Sequence, residues 1–178
     1  MKAYDLAKKE IGTVEWKDGS NPKVVAYFKD AGHAEVKDDA TAWCAAFVGA
    51  MLHRAGMKGT GSLVARSYLK WGEPVDRKDA RPGDIVVFKR GNSTWQAHVA
   101  FLVADHGETL EVLGGNQSDA VNVKKYRARD LLGIRRTPGK RSVAPAAPPQ
   151  APTQTPKPEG VWAALLRALA AIFNPSKR

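Results

Sequence analysis

The sequence predicts an α+β domain over residues 1–137, a linker over 138–160 and a short terminal helix over 161–178. Three observations carry this division. Apolar residues recur at helical spacing between Tyr4 and Trp71. Between Ile85 and Arg136 they fall into short β-branched runs of strand length. At Thr137-Pro138 the composition turns to Pro, Ala, Thr and Gln. Helices followed by a meander imply helices packed on one antiparallel sheet.

The elements follow in order. Tyr4, Ala7 and Ile11 mark an N-terminal helix ending near Gly12. Pro22 opens a second, which runs to Ala31 with Val24, Val25, Tyr27 and Phe28 on an apolar face. A third spans Thr41 to Ala55, where Phe47, Val48, Met51, Leu52 and Ala55 keep helical spacing and Gly56 stops it. Asp38 and Asp39 precede it and read as helix-capping residues. Ser62 to Trp71 reads as a fourth helix. After the turn Pro82-Gly83-Asp84 come strands at Ile85–Phe88, Ala97–Val103 and Thr109–Leu113, the last two joined by Asp105-His106-Gly107-Glu108. Val121–Tyr126 and Leu132–Arg136 add one or two more.

The tail has its own character. Six prolines from Pro145 to Pro158 make an extended linker that cannot bury a core. Beyond it, Val161 to Phe173 reads as a helix ended near Asn174-Pro175. From Pro138 onward, Lys140, Arg141, Lys157, Arg167, Lys177 and Arg178 face Glu159 alone, which is half of the chain's net charge of +10. The helix is too short to span a bilayer. It fits an interfacial segment that meets anionic lipid or lipopolysaccharide through Trp162, Leu165, Leu166, Arg167, Leu169, Phe173, Lys177 and Arg178. The alternative is docking on a protein.

Charge alone predicts polyanionic partners, but no helix-turn-helix, zinc-finger or RNA-recognition signature supports a specific nucleic-acid binder. A single cysteine gives no metal-site spacing, so neither metal nor cofactor is expected. Nothing demands more than a monomer. Met1 to Glu10 holds no apolar run of the kind a secretory signal needs, which predicts synthesis in the cytoplasm without one.

The lone cysteine, Cys44, falls in the first turn of the third helix, where the macrodipole favours thiolate. By itself it could be a small buried hydrophobe. Two further segments supply complementary chemistry. A hairpin turn centred between His106 and Gly107 puts His98 opposite residue 115, beside Asn116 in Gly114-Gly115-Asn116-Gln117. An amide there can fix one ring nitrogen and leave the other to face a thiol. Cys44, His98 and Asn116 thus form a candidate nucleophile, base and orienting residue. Trp43, Trp95, Gln96 and Gln117 flank them and are candidates for substrate contact, with core packing as the alternative for the tryptophans. His53, nine residues along the helix from Cys44, is about 13 Å away, too far for proton transfer. His106 lies at a hairpin tip.

Taken together, several stretches resemble the NlpC-type and CHAP cysteine peptidases and amidases that cut peptidoglycan, particularly phage endolysins. They are Ser20-Asn21-Pro22, Thr41 to Val48, Gly59 to Ser62, Ala65 to Gly72, Arg81 to Phe88, His98 to Phe101 and Val112 to Gln117. The resemblance implies a papain-like fold with the nucleophile at a helix N terminus, a metal-free mechanism and peptidoglycan as substrate. It leaves open whether an amide or a stem-peptide bond is cut. It implies action in the periplasm or cell wall after release. Two positions depart from the family: Ala97 where many relatives have glycine before the histidine, and Gly114 where others carry glutamate. A wall-remodelling hydrolase or delivered toxin of the same fold, and a non-catalytic cationic envelope-binding module, are the alternatives.

Overall fold

A computed structural model describes residues 2–137. The linker at 138–160 and the terminal helix with its envelope-contact residues, Trp162 to Arg178, lie outside the described residues.

Three helices come first: α1 (Ala3–Lys9), α2 (Pro22–Asp30) and α3 (Cys44–Arg54). Six strands follow: β1 (Glu73–Val75), β2 (Ile85–Lys89), β3 (Ala97–Asp105), β4 (Thr109–Gly114), β5 (Asn122–Arg127) and β6 (Leu131–Arg136). They make one antiparallel sheet in the order β1-β6-β2-β3-β4-β5. The α+β class expected from the sequence is the one found, with the cysteine helix packed on an antiparallel sheet that carries the histidine. Consecutive strands from β2 to β5 form the meander, and β6 returns to lie between β1 and β2.

The strand runs look unbroken rather than alternating because both faces of the sheet are covered. Ile85, Val87, Val99 and Phe101 pack with the helices. Val86, Phe88, Ala100, Leu102, Leu110 and Val112 point the other way and form a second core with Ile134. By cross-strand pairing, His98 sits beside Phe88 on this second face.

Several boundaries differ from the sequence reading. The fourth helix is a 3-10 stretch, Ala65–Lys70, begun after Ser62 Oγ accepts from the Val64 N–H (3.1 Å). β1 was not foreseen; it is a three-residue edge strand containing Pro74, which such an edge tolerates. α3 starts at Cys44, not Thr41, and neither aspartate caps it. Asp38 instead accepts from the Thr41 N–H and hydroxyl (2.9 and 3.0 Å), closing a turn ahead of the helix.

Asp39 is buried and accepts from the N–H groups of Trp16 (3.1 Å) and Asn21 (2.8 Å), pinning the loop before α2. Asn21 in turn caps α2 through the Lys23 N–H (2.9 Å). Asp39→Ala leaves the buried Asn21 N–H unpartnered and is expected to cost about 1–3 kcal/mol. Thermal unfolding of Asp39→Ala against Asp39→Asn, which keeps an acceptor, checks this; equal midpoints would refute it.

Candidate active site

Cys44 opens α3 and His98 is the second residue of β3. Both are nearly buried, at 9% and 6% exposure, and both line one cleft. Ala42, Leu63, Val64, Ala65, Arg90, Trp95, Gln96, Ala97 and Asn116 complete its lining. Trp43 holds the position before α3 and provides no side-chain cap to its first turn.

The partner of the imidazole differs from the expected one. His98 Nε2 lies 3.0 Å from Gln117 Oε1, and Asn116 makes no side-chain hydrogen bond among the described residues. Gln117 is therefore the hydrogen-bond partner of the histidine, the place expected of Asn116. Its amide is fixed in turn: Nε2 of Gln117 donates to the Asn122 carbonyl (2.7 Å) and to Asn122 Oδ1 (3.0 Å). The Asn122 side chain donates back to the Gln117 carbonyl (2.7 Å). With its NH2 group committed, Gln117 can only accept from the ring. His98 therefore carries its proton on Nε2, and Nδ1 is the basic nitrogen.

Two features moved the amide by one position. The hairpin turn is centred between Gly107 and Glu108, not between His106 and Gly107, with Asp105 opposite Leu110. The pairing then slips between Leu102 and Ala104, so Phe101 pairs with Leu113, and the same register continued puts His98 level with Asn116. Asn116, Ser118 and Asp119 all adopt left-handed backbone (φ 56°, 57° and 57°), which turns the chain so that Gln117 reaches inward.

Gly115 allows the sheet to close on the helix, while a Cβ at Gly114 would press on Ala100 (2.9 Å) and the Gln117 amide (3.2 Å). A Cβ at Gly115 would stand 2.4 Å from Trp43 Cζ3 and 2.7 Å from Phe47 Cβ. Trp43 itself is fully buried, rings with Tyr27 and Phe47, and donates from Nε1 to Glu15. It is a core residue, not a groove residue. Trp95 is 66% exposed and Gln96 is exposed; both line the cleft as expected.

Tyr126 was not singled out by the sequence. Its ring stacks on His98 (centroids 5.0 Å apart, planes 9° apart) and also on Phe88 (5.0 Å). Alternation along β5 puts Asn122, Lys124 and Tyr126 on one face, but only the long-range register reveals that it is the histidine's face.

Electrostatics set both groups neutral. Burial pushes the Cys44 thiol up, against N–H groups of Val99, Ala45 and Cys44 and the charge of Arg90, which pull it down. The expected macrodipole effect is thus outweighed by desolvation. Burial takes His98 down to about 4; the Gln117 hydrogen bond opposes this, and Arg90 and Lys124 reinforce it. Among the described residues no group of three or more His, Cys, Asp or Glu is placed to hold a metal.

Against known families, residues 36–116 match the CHAP domain model. Over this stretch the chain is similar to CHAP domains. No curated protein matches the chain. Among solved structures it is similar to RipD from Mycobacterium tuberculosis, a non-catalytic NlpC/p60 domain protein adapted to peptidoglycan binding. Identity is 19%, the TM-score is 0.44, and the match covers 76% of this chain and 98% of that one. The CHAP segment takes in α3, β2, β3 and β4, with Cys44 and His98 inside it. It stops at Asn116, so Gln117, Lys124 and Tyr126 lie just past its end.

Proposed function

We propose that this chain is a peptidoglycan hydrolase that cuts an amide or peptide bond of the stem peptide by Cys44–His98 nucleophilic catalysis. The observation that carries the reading is the fixed tautomer: Gln117 holds the Nε2 proton, leaving Nδ1 as a base in the cleft that Cys44 lines. The CHAP match supports peptidoglycan as the substrate.

Starting from the neutral pair, Nδ1 takes the thiol proton as Sγ attacks the carbonyl carbon. The oxyanion meets the uncapped N–H groups at the start of α3. On collapse the C–N bond breaks, and the imidazolium gives its Nδ1 proton to the leaving amine. A thioester is left. Water then attacks it, Nδ1 taking the water proton and returning it to the departing thiolate.

The biological setting we infer is that of a phage endolysin, made in the host cytoplasm and acting on the wall after release as a monomer. The basic terminal segment at 161–178 would meet the envelope.

Digestion of purified peptidoglycan, read by mass spectrometry of soluble fragments, tests the chemistry. Wild-type protein is expected to release fragments whose masses name the bond, and Cys44→Ala none. Fragments that persist in Cys44→Ala would remove the thiol from the mechanism. Binding without release by either protein would make the domain a wall-binding module.

A further inference from the structure

A second, polar cavity adjoins the cleft and shares Arg90, His98 and Asn116 with it. Gln117, Ser118, Asp119, Lys124 and Tyr126 complete its lining. The histidine therefore separates an apolar half, walled by Leu63, Val64 and Trp95, from a charged half.

The charged half is unbalanced. Arg90 follows β2 on the face that carries Phe88, and it has no ion-pair partner among the described residues. Lys124 on β5 pairs in register with Val112 on that same face, and among the described residues its Nζ donates to the Ser118 hydroxyl (3.1 Å) and forms no ion pair. Asp119 lines the same cavity but forms no ion pair with either cation among the described residues. The charges felt by His98 are those of Arg90 and Lys124, both of which oppose its protonation.

We propose that this cavity is a carboxylate subsite, in which Arg90 and Lys124 together hold the free carboxylate of an acidic residue in the peptide substrate. Guanidinium and ammonium groups on a shared pocket are suited to such a group. Occupancy also alters the chemistry next door. An anion between the two cations cancels the field that disfavours imidazolium, so a bound carboxylate makes Nδ1 of His98 a better acceptor for the thiol proton. The subsite rests on the hydrolase reading for its consequence but not for its existence, because binding alone reveals it.

The test uses full-length Cys44→Ala and two stem peptides with amidated C termini. One carries alanyl-γ-glutamyl-lysine with the glutamyl α-carboxylate free; the other has that carboxylate as carboxamide. Calorimetry is expected to find the acid bound about tenfold more tightly, the worth of two exposed charge contacts. Arg90→Gln combined with Lys124→Gln should abolish the preference, while Arg90→Lys retains part of it. Both positions are exposed, and unchanged thermal midpoints verify that the variants fold. Equal affinity for acid and amide, binding of neither, or a preference that survives the double substitution would each overturn the subsite. Hydrolysis by the wild type is scored separately. A preference in binding without any cleavage sustains the subsite and sinks the hydrolase reading instead.

Discussion

Gln117→Ala is expected to lower kcat about a thousandfold while changing KM little, since losing the residue that fixes a catalytic histidine's tautomer costs on the order of 10³–10⁴ in the serine-protease case. The reasoning is local. Gln117 Oε1 is the hydrogen-bond partner of the His98 ring, and Asn122 holds Gln117 in the accepting orientation. Without it the imidazole can place its proton on Nδ1, where it can no longer take one from the thiol. A purely structural role would predict a lost thermal midpoint and no change in pH profile. Gln117→Glu separates the two. It keeps an acceptor for the Nε2 proton, gives up the donations to Asn122, and adds a negative charge that stabilises imidazolium. Activity should be partly restored relative to alanine. Because the unprotonated ring is the base, a raised His98 pKa moves the acid limb of kcat/KM to higher pH. An unmoved acid limb in Gln117→Glu, or wild-type kcat in Gln117→Ala, would show that the amide does not govern the ring.

Gly115→Ala is expected to destabilise the fold by about 3 kcal/mol, at the upper end of the usual cost of overpacking. The added methyl group would overlap Trp43 and Phe47, both fully buried, at 2.4 and 2.7 Å. Neither side chain has open space to enter, so the start of α3 must move away from the end of β4. Cys44 moves with it, and a displacement near 1 Å costs about a hundredfold in rate. The loss of activity should therefore exceed the unfolded fraction. Gly107→Ala is the comparison: its φ of 80° is strained for alanine, but nothing lies within 4 Å of the new Cβ. About 1 kcal/mol and no change in kcat are expected there. Denaturant titration and initial rates read both. A Gly115→Ala protein as stable as Gly107→Ala would show that the helix–sheet contact yields more easily than its geometry implies.

Much of the frame was legible because the patterns were strong. Helical spacing from Phe47 to Leu52 and the β-branched run at Ile85–Phe88 identify their elements without help from the rest of the chain. The thiol and the imidazole were legible as a pair because each sits at the end of a well-marked element. The amide was not, since the count back from the hairpin depends on a turn centre that lies between Gly107 and Glu108, one place later than the sequence suggested, and on a slip between Leu102 and Ala104. Asn116 and Gln117 carry the same functional group, so only the left-handed turn decides between them. Trp43 is a different case. It precedes Phe47 by one helical turn, a spacing consistent with the core place that the structure gives it and that the sequence left as the alternative to substrate contact. Tyr126 and Lys124 owe their places to β5 crossing the far side of β4, a contact that no local pattern announces.

The protonated, sunken state of Cys44 has a consequence for the life of the protein in air. Oxidation to sulfenic acid and alkylation by electrophiles both proceed through an accessible thiolate. At rest this chain offers neither the anion nor the access. Its sulfhydryl is therefore expected to react slowly with a thiol reagent in the native protein and quickly once unfolded; equal rates in the two states would show that burial does not protect it.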